Sequence, residues 1–172
     1  FDLRMHQEFS GKKLQYYDNE LNESYTPCVV ETSIGLDRMF LAIISNSLRE
    51  EILENNSKRT VLKIPPFLSP YKVAILPLVK KDDLPQIAKD IYNTLKLEFN
   101  VIYDEKDAVG RRYRRQDAIG TPYCITIDHQ TKDDNTITIR ERDSMQQNRI
   151  LLSDINRYIN KMVSFTSTIT KN

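Results

Sequence analysis

The segment Val73-Ala74-Ile75-Leu76-Pro77-Leu78-Val79 is an almost unbroken apolar run. Its length suits a strand covered on both faces rather than a helix. Such a strand needs helices on both sides of its sheet, which points to an α/β architecture. The following residues supply one helix: Leu84, Ile87, Ala88, Ile91, Tyr92 and Leu95 form a stripe, Asp82 or Asp83 is available as a cap, and Pro85 is tolerated in the first turn. Further strands are expected at Asn100 to Tyr103, at Tyr123 to Asp128, and at Thr136 to Arg140, where strict alternation argues one buried face. A polar loop from His129 to Asn135 separates the last two. A final helix, capped by Ser153, buries Ile155, Tyr158, Ile159 and Met162. The order of elements specifies a mixed β-sheet flanked by helices.

Upstream, residues 1–25 read as β-rich, with a hairpin turning at Asp18-Asn19-Glu20-Leu21-Asn22-Glu23. Cys28 to Ile34 reads as a buried strand ended by Gly35. From Leu36 the period becomes helical, with Leu36, Phe40, Ile43, Ile44 and Leu48 on one face, and the helix is expected to reach about Leu53. Asn55-Asn56-Ser57-Lys58-Arg59 is a polar break, and the domain boundary is placed shortly after it. Thr60 to Pro70 reads as an extended connector stiffened by Pro65, Pro66 and Pro70.

A formal net charge of +1 excludes a generally cationic coat, so any contact with a polyanion is local. One stretch suits that contact: Gly110-Arg111-Arg112-Tyr113-Arg114-Arg115-Gln116-Asp117-Ala118-Ile119-Gly120. On a helical wheel Val109 and Tyr113 fall on one side and Arg111, Arg114 and Arg115 on the other, with Arg112 nearer the packed side. A short basic helix of this kind presents cations to nucleic acid. Arg140 and Arg142, at the end of the alternating strand, join the set. Because Asp104, Glu105, Asp107, Asp117, Glu141 and Asp143 lie close in sequence, a salt-bridged role stays open for each arginine.

Cys28 and Cys124 lie in apolar runs and read as buried thiols of a reducing compartment. With His6 and His129 as the only histidines and no Cys-x-x-Cys pair, no metal site is expected. No apolar run approaches the roughly 18 residues of a membrane span. The chain opens on Phe1-Asp2-Leu3 and reads as an excised segment.

Glu31 and Ser33 alternate onto one face of the expected strand, where a carboxylate and a hydroxyl could grip a small zwitterion by its ammonium group. Gly35 allows close backbone approach, and Arg38 in the first helical turn offers a fixed cation for phosphate. Ordinary structural ion pairs are the competing reading. Val30-Glu31-Thr32-Ser33-Ile34-Gly35-Leu36-Asp37-Arg38-Met39-Phe40-Leu41-Ala42 resembles the third signature motif of class II aminoacyl-tRNA synthetases, in the form found in dimeric glycyl-tRNA synthetases. The resemblance continues through Lys72 to Lys81, Gly110 to Pro122 and Thr138 to Met145, and covers roughly residues 1–159. One departure is Thr32, where the family often has Pro.

The resemblance implies roles residue by residue. Glu31, Ser33 and Gly35 would bind glycine, and Gly35, Leu36, Asp37 and Arg38 would line ATP, which carries Mg2+. Residues from about Lys72 onward resemble the anticodon-binding domain shared by several class II enzymes, with Arg111, Arg114, Arg115, Arg140 and Arg142 as candidate contacts to tRNA(Gly). The implied organisation is the motif-three end of a catalytic domain at 1–59, a connector at 60–71 and an anticodon-binding domain at 72–172. Motifs one and two are not in these residues, so the segment is expected to be inactive alone. A cytoplasmic, homodimeric parent enzyme is implied. The rival is a non-enzymatic nucleic-acid-binding protein derived from such a synthetase, such as a DNA polymerase accessory subunit.

Overall fold

A computed structural model describes residues 2–54 and 56–166. The chain divides into two compact units, residues 1–39 and 40–172. In the first, α1 (Asp2–Ser10) precedes a hairpin of β1 (Tyr16–Asp18) and β2 (Glu23–Tyr25). The hairpin turns where expected, because the Asp18 carboxylate accepts the backbone N–H groups of Glu20 and Leu21 at 2.8 and 3.1 Å. Tyr16 and Tyr25, paired across the strands, meet edge to face at 5.9 Å. The β-rich expectation fails for Asp2–Ser10, which is helical. Two helix signals outweigh strand character there: an acid in the first turn, and Gly11 at φ +67°, which lets its N–H close onto the Gln7 carbonyl at 3.0 Å.

Two further expectations are corrected. Cys28 to Ile34 is not a strand, and Cys28 is exposed rather than buried. None of the strand pairings among the described residues includes this segment, and extended backbone without a ladder does not make a sheet. The helix from Leu36 also ends early: α2 is Leu36–Ser47, and Leu48–Ile52 becomes β3, paired antiparallel with β4 (Lys58–Leu62). Within the polar break, Lys58 and Arg59 already open β4, and the hairpin is closed by Leu53 N–H to Ser57 O at 2.9 Å, with Asn56 at φ +57°.

The second unit is built on a five-stranded sheet in the order β6-β5-β7-β8-β9. Its strands are β5 (Val73–Pro77), β6 (Val101–Tyr103), β7 (Tyr123–Ile127), β8 (Thr136–Glu141) and β9 (Gln147–Leu151). The first three are parallel, and β8 and β9 run antiparallel. Every residue of β5 and β7 is buried, as the apolar run required. On one face Val73, Ile75, Ile125, Ile137 and Ile139 pack beneath α3 (Leu84–Leu95) and α6 (Ile155–Val163). On the other, Ala74, Leu76 and Cys124 pack with Tyr113 of α4 (Val109–Ile119).

Local capping differs from expectation in three places. Asp83 stands at the start of α3 at φ 63° without bonding it through its side chain, and Asp154, not Ser153, precedes α6. The segment expected as a loop forms α5 (His129–Asp134), nucleated by a reciprocal box between Asp128 and Thr131.

Candidate nucleic-acid interface

The inner side of α4 is more polar than its sequence suggested. Arg112, 2% exposed, donates to the carbonyls of Pro77 (2.6 Å), Leu78 (3.1 Å) and Asp104 (3.2 Å), and so clasps the C-terminal ends of β5 and β6. Burial pushes its pKa down, since no carboxylate bonds the guanidinium directly. Five residues further along the helix, Asp117 is fully buried. It receives Arg140 in a two-pronged pair at 2.8 and 3.0 Å, Arg59 of β4 at 3.4 Å and Arg114 at 3.2 Å. Arg59 completes its bonding at the Arg142 carbonyl (2.9 Å) and the Glu51 carboxylate (2.8 Å). This junction binds the β3–β4 hairpin to α4 and β8.

Arg140 and Arg142 therefore do not belong to an exposed RNA-binding set. Arg140 is 3% exposed and stacks over the Tyr113 ring at 4.8 Å. Arg142, 2% exposed, donates to the carbonyls of Ile64 and Gly120 at 2.9 Å each and pairs with Asp143. Alternation had placed Arg140 on the polar face of β8, and α4 covers that face at this end. Burial opposes charge on Arg140, but Asp117 outweighs it and the net shift favours the cation. Beneath it, burial pushes the Cys124 thiol up to about 12.

The outer side of α4 holds the remaining cations. Arg115 staples the loop before the helix: its Nε and Nη2 reach Asp104 at 3.2 and 2.8 Å, Nη1 reaches Asp107 at 2.8 Å, and Nη2 also reaches the Lys106 carbonyl at 2.6 Å. The hydrogen bond from Arg115 Nη1 holds the Asp107 carboxyl below its usual range. Arg114 touches Asp117 and Met145 Sδ through Nη1 alone. The side chains of Arg114 and Arg115 are each 42% exposed. Arg111 is exposed; its backbone N–H donates to the Ala108 carbonyl at 3.0 Å, while its guanidinium makes no hydrogen bond or ion pair among the described residues. The predicted basic face thus reduces to one free guanidinium and two partly committed ones. An open groove of about 770 Å³ adjoins it, lined by Glu51, Ile52, Leu53, Glu54, Arg114 and Met145.

In the first unit, the expected small-molecule residues lie on one exposed stretch. Ser33 Oγ donates to Glu31 Oε1 at 2.9 Å. The Gly35 carbonyl accepts the Met39 N–H at 3.0 Å to start α2, whose first turn carries Leu36, Asp37 and Arg38. The Arg38 stem lies 3.6 Å from where a Cβ on Gly35 would stand. Among the described residues no group of three or more His, Cys, Asp or Glu could hold a metal ion.

A family model described as an anticodon binding domain matches residues 72–162, from just before β5 almost to the end of α6. The chain belongs to that family. The anticodon binding domain includes α4 and all five sheet strands, whereas Arg59 and the β3–β4 hairpin lie upstream of it. Among curated proteins, the glycine–tRNA ligase of Clostridium tetani (strain Massachusetts / E88) is 50% identical over 165 residues, which is 96% of this chain and 35% of that protein. The glycine–tRNA ligase of Borreliella burgdorferi (strain ATCC 35210 / DSM 4680 / CIP 102532 / B31) is 48% identical over 161 residues, 92% of this chain and 36% of that protein. The chain therefore spans about a third of the length of these relatives. These relatives do not favour the polymerase-accessory alternative. The RNA binding domain of threonyl-tRNA synthetase from Cryptosporidium parvum Iowa II, a crystal structure, shares the fold: its TM-score is 0.53 at 22% identity, over 58% of this chain and 25% of that one. Among the described residues no helix is long and apolar enough to cross a membrane.

Proposed function

We propose that this chain is part of a glycine–tRNA ligase, in which residues 72–172 bind the anticodon arm of tRNA(Gly). The observation that carries the reading is identity of about half across 96% of the chain to a ligase of that activity. In this reading residues 1–59 belong to a class II catalytic domain and 60–71 are the connector. Unpaired anticodon bases are splayed out and bonded at their edges. Arg111 is the leading contact because its guanidinium is uncommitted, and Arg115 chiefly shapes the loop beside it.

Glu31, Ser33 and Gly35 bind glycine, the carboxylate holding its ammonium group. Gly35, Leu36, Asp37 and Arg38 line ATP, which brings Mg2+ with it. The glycine carboxylate attacks the α-phosphorus of ATP in line, forming the glycyl adenylate as the bond to the leaving pyrophosphate breaks, so these residues act by orienting the two reactants and offsetting charge. The parent enzyme is a cytoplasmic homodimer.

The test is binding of this chain to RNA hairpins carrying the tRNA(Gly) anticodon loop or unrelated loops. The chain is expected to prefer the tRNA(Gly) loop. Arg111→Ala is expected to weaken that binding by about 1–3 kcal/mol if it bonds a base edge, or to weaken all loops alike with a salt slope smaller by about one if it bonds phosphate. Equal binding of every loop by the unaltered chain would overturn the assignment.

A further inference from the structure

The connector between β4 and β5 folds into a single turn, and its sequence leaves that turn short of donors. Leu68 and Ser69 donate their N–H groups to the Pro65 carbonyl at 2.9 and 3.2 Å, and the Ser69 N–H also reaches the Pro66 carbonyl at 3.3 Å. A helical turn would continue with N–H groups from residues 70 and 71, but Pro70 has none and ends it. The carbonyls of Pro66, Phe67 and Ser69 are left facing one point, where Lys72 Nζ stands at 3.1, 2.8 and 2.8 Å. The three protons of an ammonium match these three acceptors. No carboxylate pairs with Lys72 among the described residues, and burial pushes its pKa down. Backbone dipoles alone therefore hold its charge. The same residue is tied to the sheet, because its N–H donates to the Asn100 carbonyl at 2.8 Å, just before β6.

We infer that the turn at residues 65–69 is a binding cage for a primary ammonium, filled by the chain's own Lys72, and that this latch makes the connector one rigid piece with the sheet. Proline stiffens a chain only at its own φ, so three prolines do not by themselves fix how the turn meets β5. Withdrawing the ammonium would leave three converging carbonyls without their donor, and a buried acceptor costs more when unmet than its bond contributes when made. The cage selects by hydrogen bonding as well as by charge. A primary ammonium turns three N–H groups toward the carbonyls, a flat guanidinium fork cannot point three donors from one apex, and a tetraalkylammonium has none. A groove of about 330 Å³ lined by Lys72, Lys96, Leu97, Glu98, Phe99 and Asn100 gives a small amine access to the site. Lys72 stands at the entry of β5, whereas Arg112 clasps its exit, so the latch does not rest on the RNA-binding reading.

The experiment follows amide hydrogen exchange in the full chain. Lys72→Met keeps the stem and removes the ammonium, and exchange at the Leu68 and Ser69 N–H groups is expected to speed up about 5- to 150-fold while the amides of β5 stay protected. Lys72→Ala removes the stem as well. Added propylammonium, which replaces the lost atoms, is expected to slow exchange at Leu68 and Ser69 back toward the unaltered rate. Tetramethylammonium at the same concentration carries the charge without an N–H and is expected to change nothing. Equal exchange at Leu68 and Ser69 in the unaltered chain and in Lys72→Met would overturn the latch. Should a variant lose protection throughout, the two amines decide: recovery with propylammonium alone upholds the cage, and no recovery, or equal recovery with both, overturns it.

Discussion

Asp117 carries the largest single-residue stake in this molecule. Its carboxylate neutralises Arg140 and helps neutralise Arg59, and both guanidinium groups are buried. Removing one member of such a group leaves charge unpaired in the interior, which costs about 3–5 kcal/mol. Asp117→Ala is therefore expected to lower stability by that amount in a urea titration, with Asp117→Asn less severe because it keeps one acceptor. The sequence held a sign of this role. Asp117 is four residues after Tyr113 and so shares the packed side of α4, where an acid needs a buried counter-ion. Arg112 was legible by the same argument. Arg140 was not, because alternation tells which residues share a face of a strand but not which part of that face a helix will cover.

At the scale of elements, α4 ends at Gly120, whose φ is 84°. Its N–H closes on the Asp117 carbonyl at 3.3 Å, and a Cβ there would stand 2.9 Å from Ile64 Cγ2 and 3.2 Å from the Leu62 carbonyl. Gly120→Ala meets both a left-handed backbone and the end of β4, so it is expected to cost more than about 1 kcal/mol. Gly110→Ala, inside the same helix with nothing within 4 Å, is expected to be neutral or slightly stabilising in the same thermal melt. The strands and helices from β5 to β8 were readable because burial, on both faces of β5 and β7 and on one face elsewhere, imposes its pattern on the chain, with α5 the one exception. The α2–β3 junction was not. Leu48-Arg49-Glu50-Glu51-Ile52 continues a helical period with good helix formers, and pairing with Lys58–Leu62 overrides that local preference. Asp128 and Thr131, three residues apart, could have announced α5.

Across the whole molecule, acid is expected to act through several carboxylates at once. Lys63's hydrogen bond, helped by Arg59, holds Glu51 below its ordinary 4.5. Burial pushes Asp128 up from 3.8, but the Arg149 and Thr131 bonds together outweigh it and the net shift is downward. A group whose folded pKa is depressed adds stability above its unfolded pKa and loses it as pH falls through the folded value. The urea midpoint is therefore expected to drop progressively below about pH 4.5. Glu51→Gln should remove part of that slope; an unchanged slope would show that Glu51 contributes nothing to it.

The junction at Asp117 also bears on any attempt to transplant this module. Cutting at residue 72, where the match to the anticodon binding domain begins, would strip Arg59 from its carboxylate and take Ile64 and Leu62 from above Gly120. A graft would carry a cavity into its new host and leave Asp117 with Arg140 as its one buried cationic partner. The seam that keeps Asp117 with both of its buried guanidinium partners lies ahead of Leu48, so the structural cassette is longer than the recognisable one.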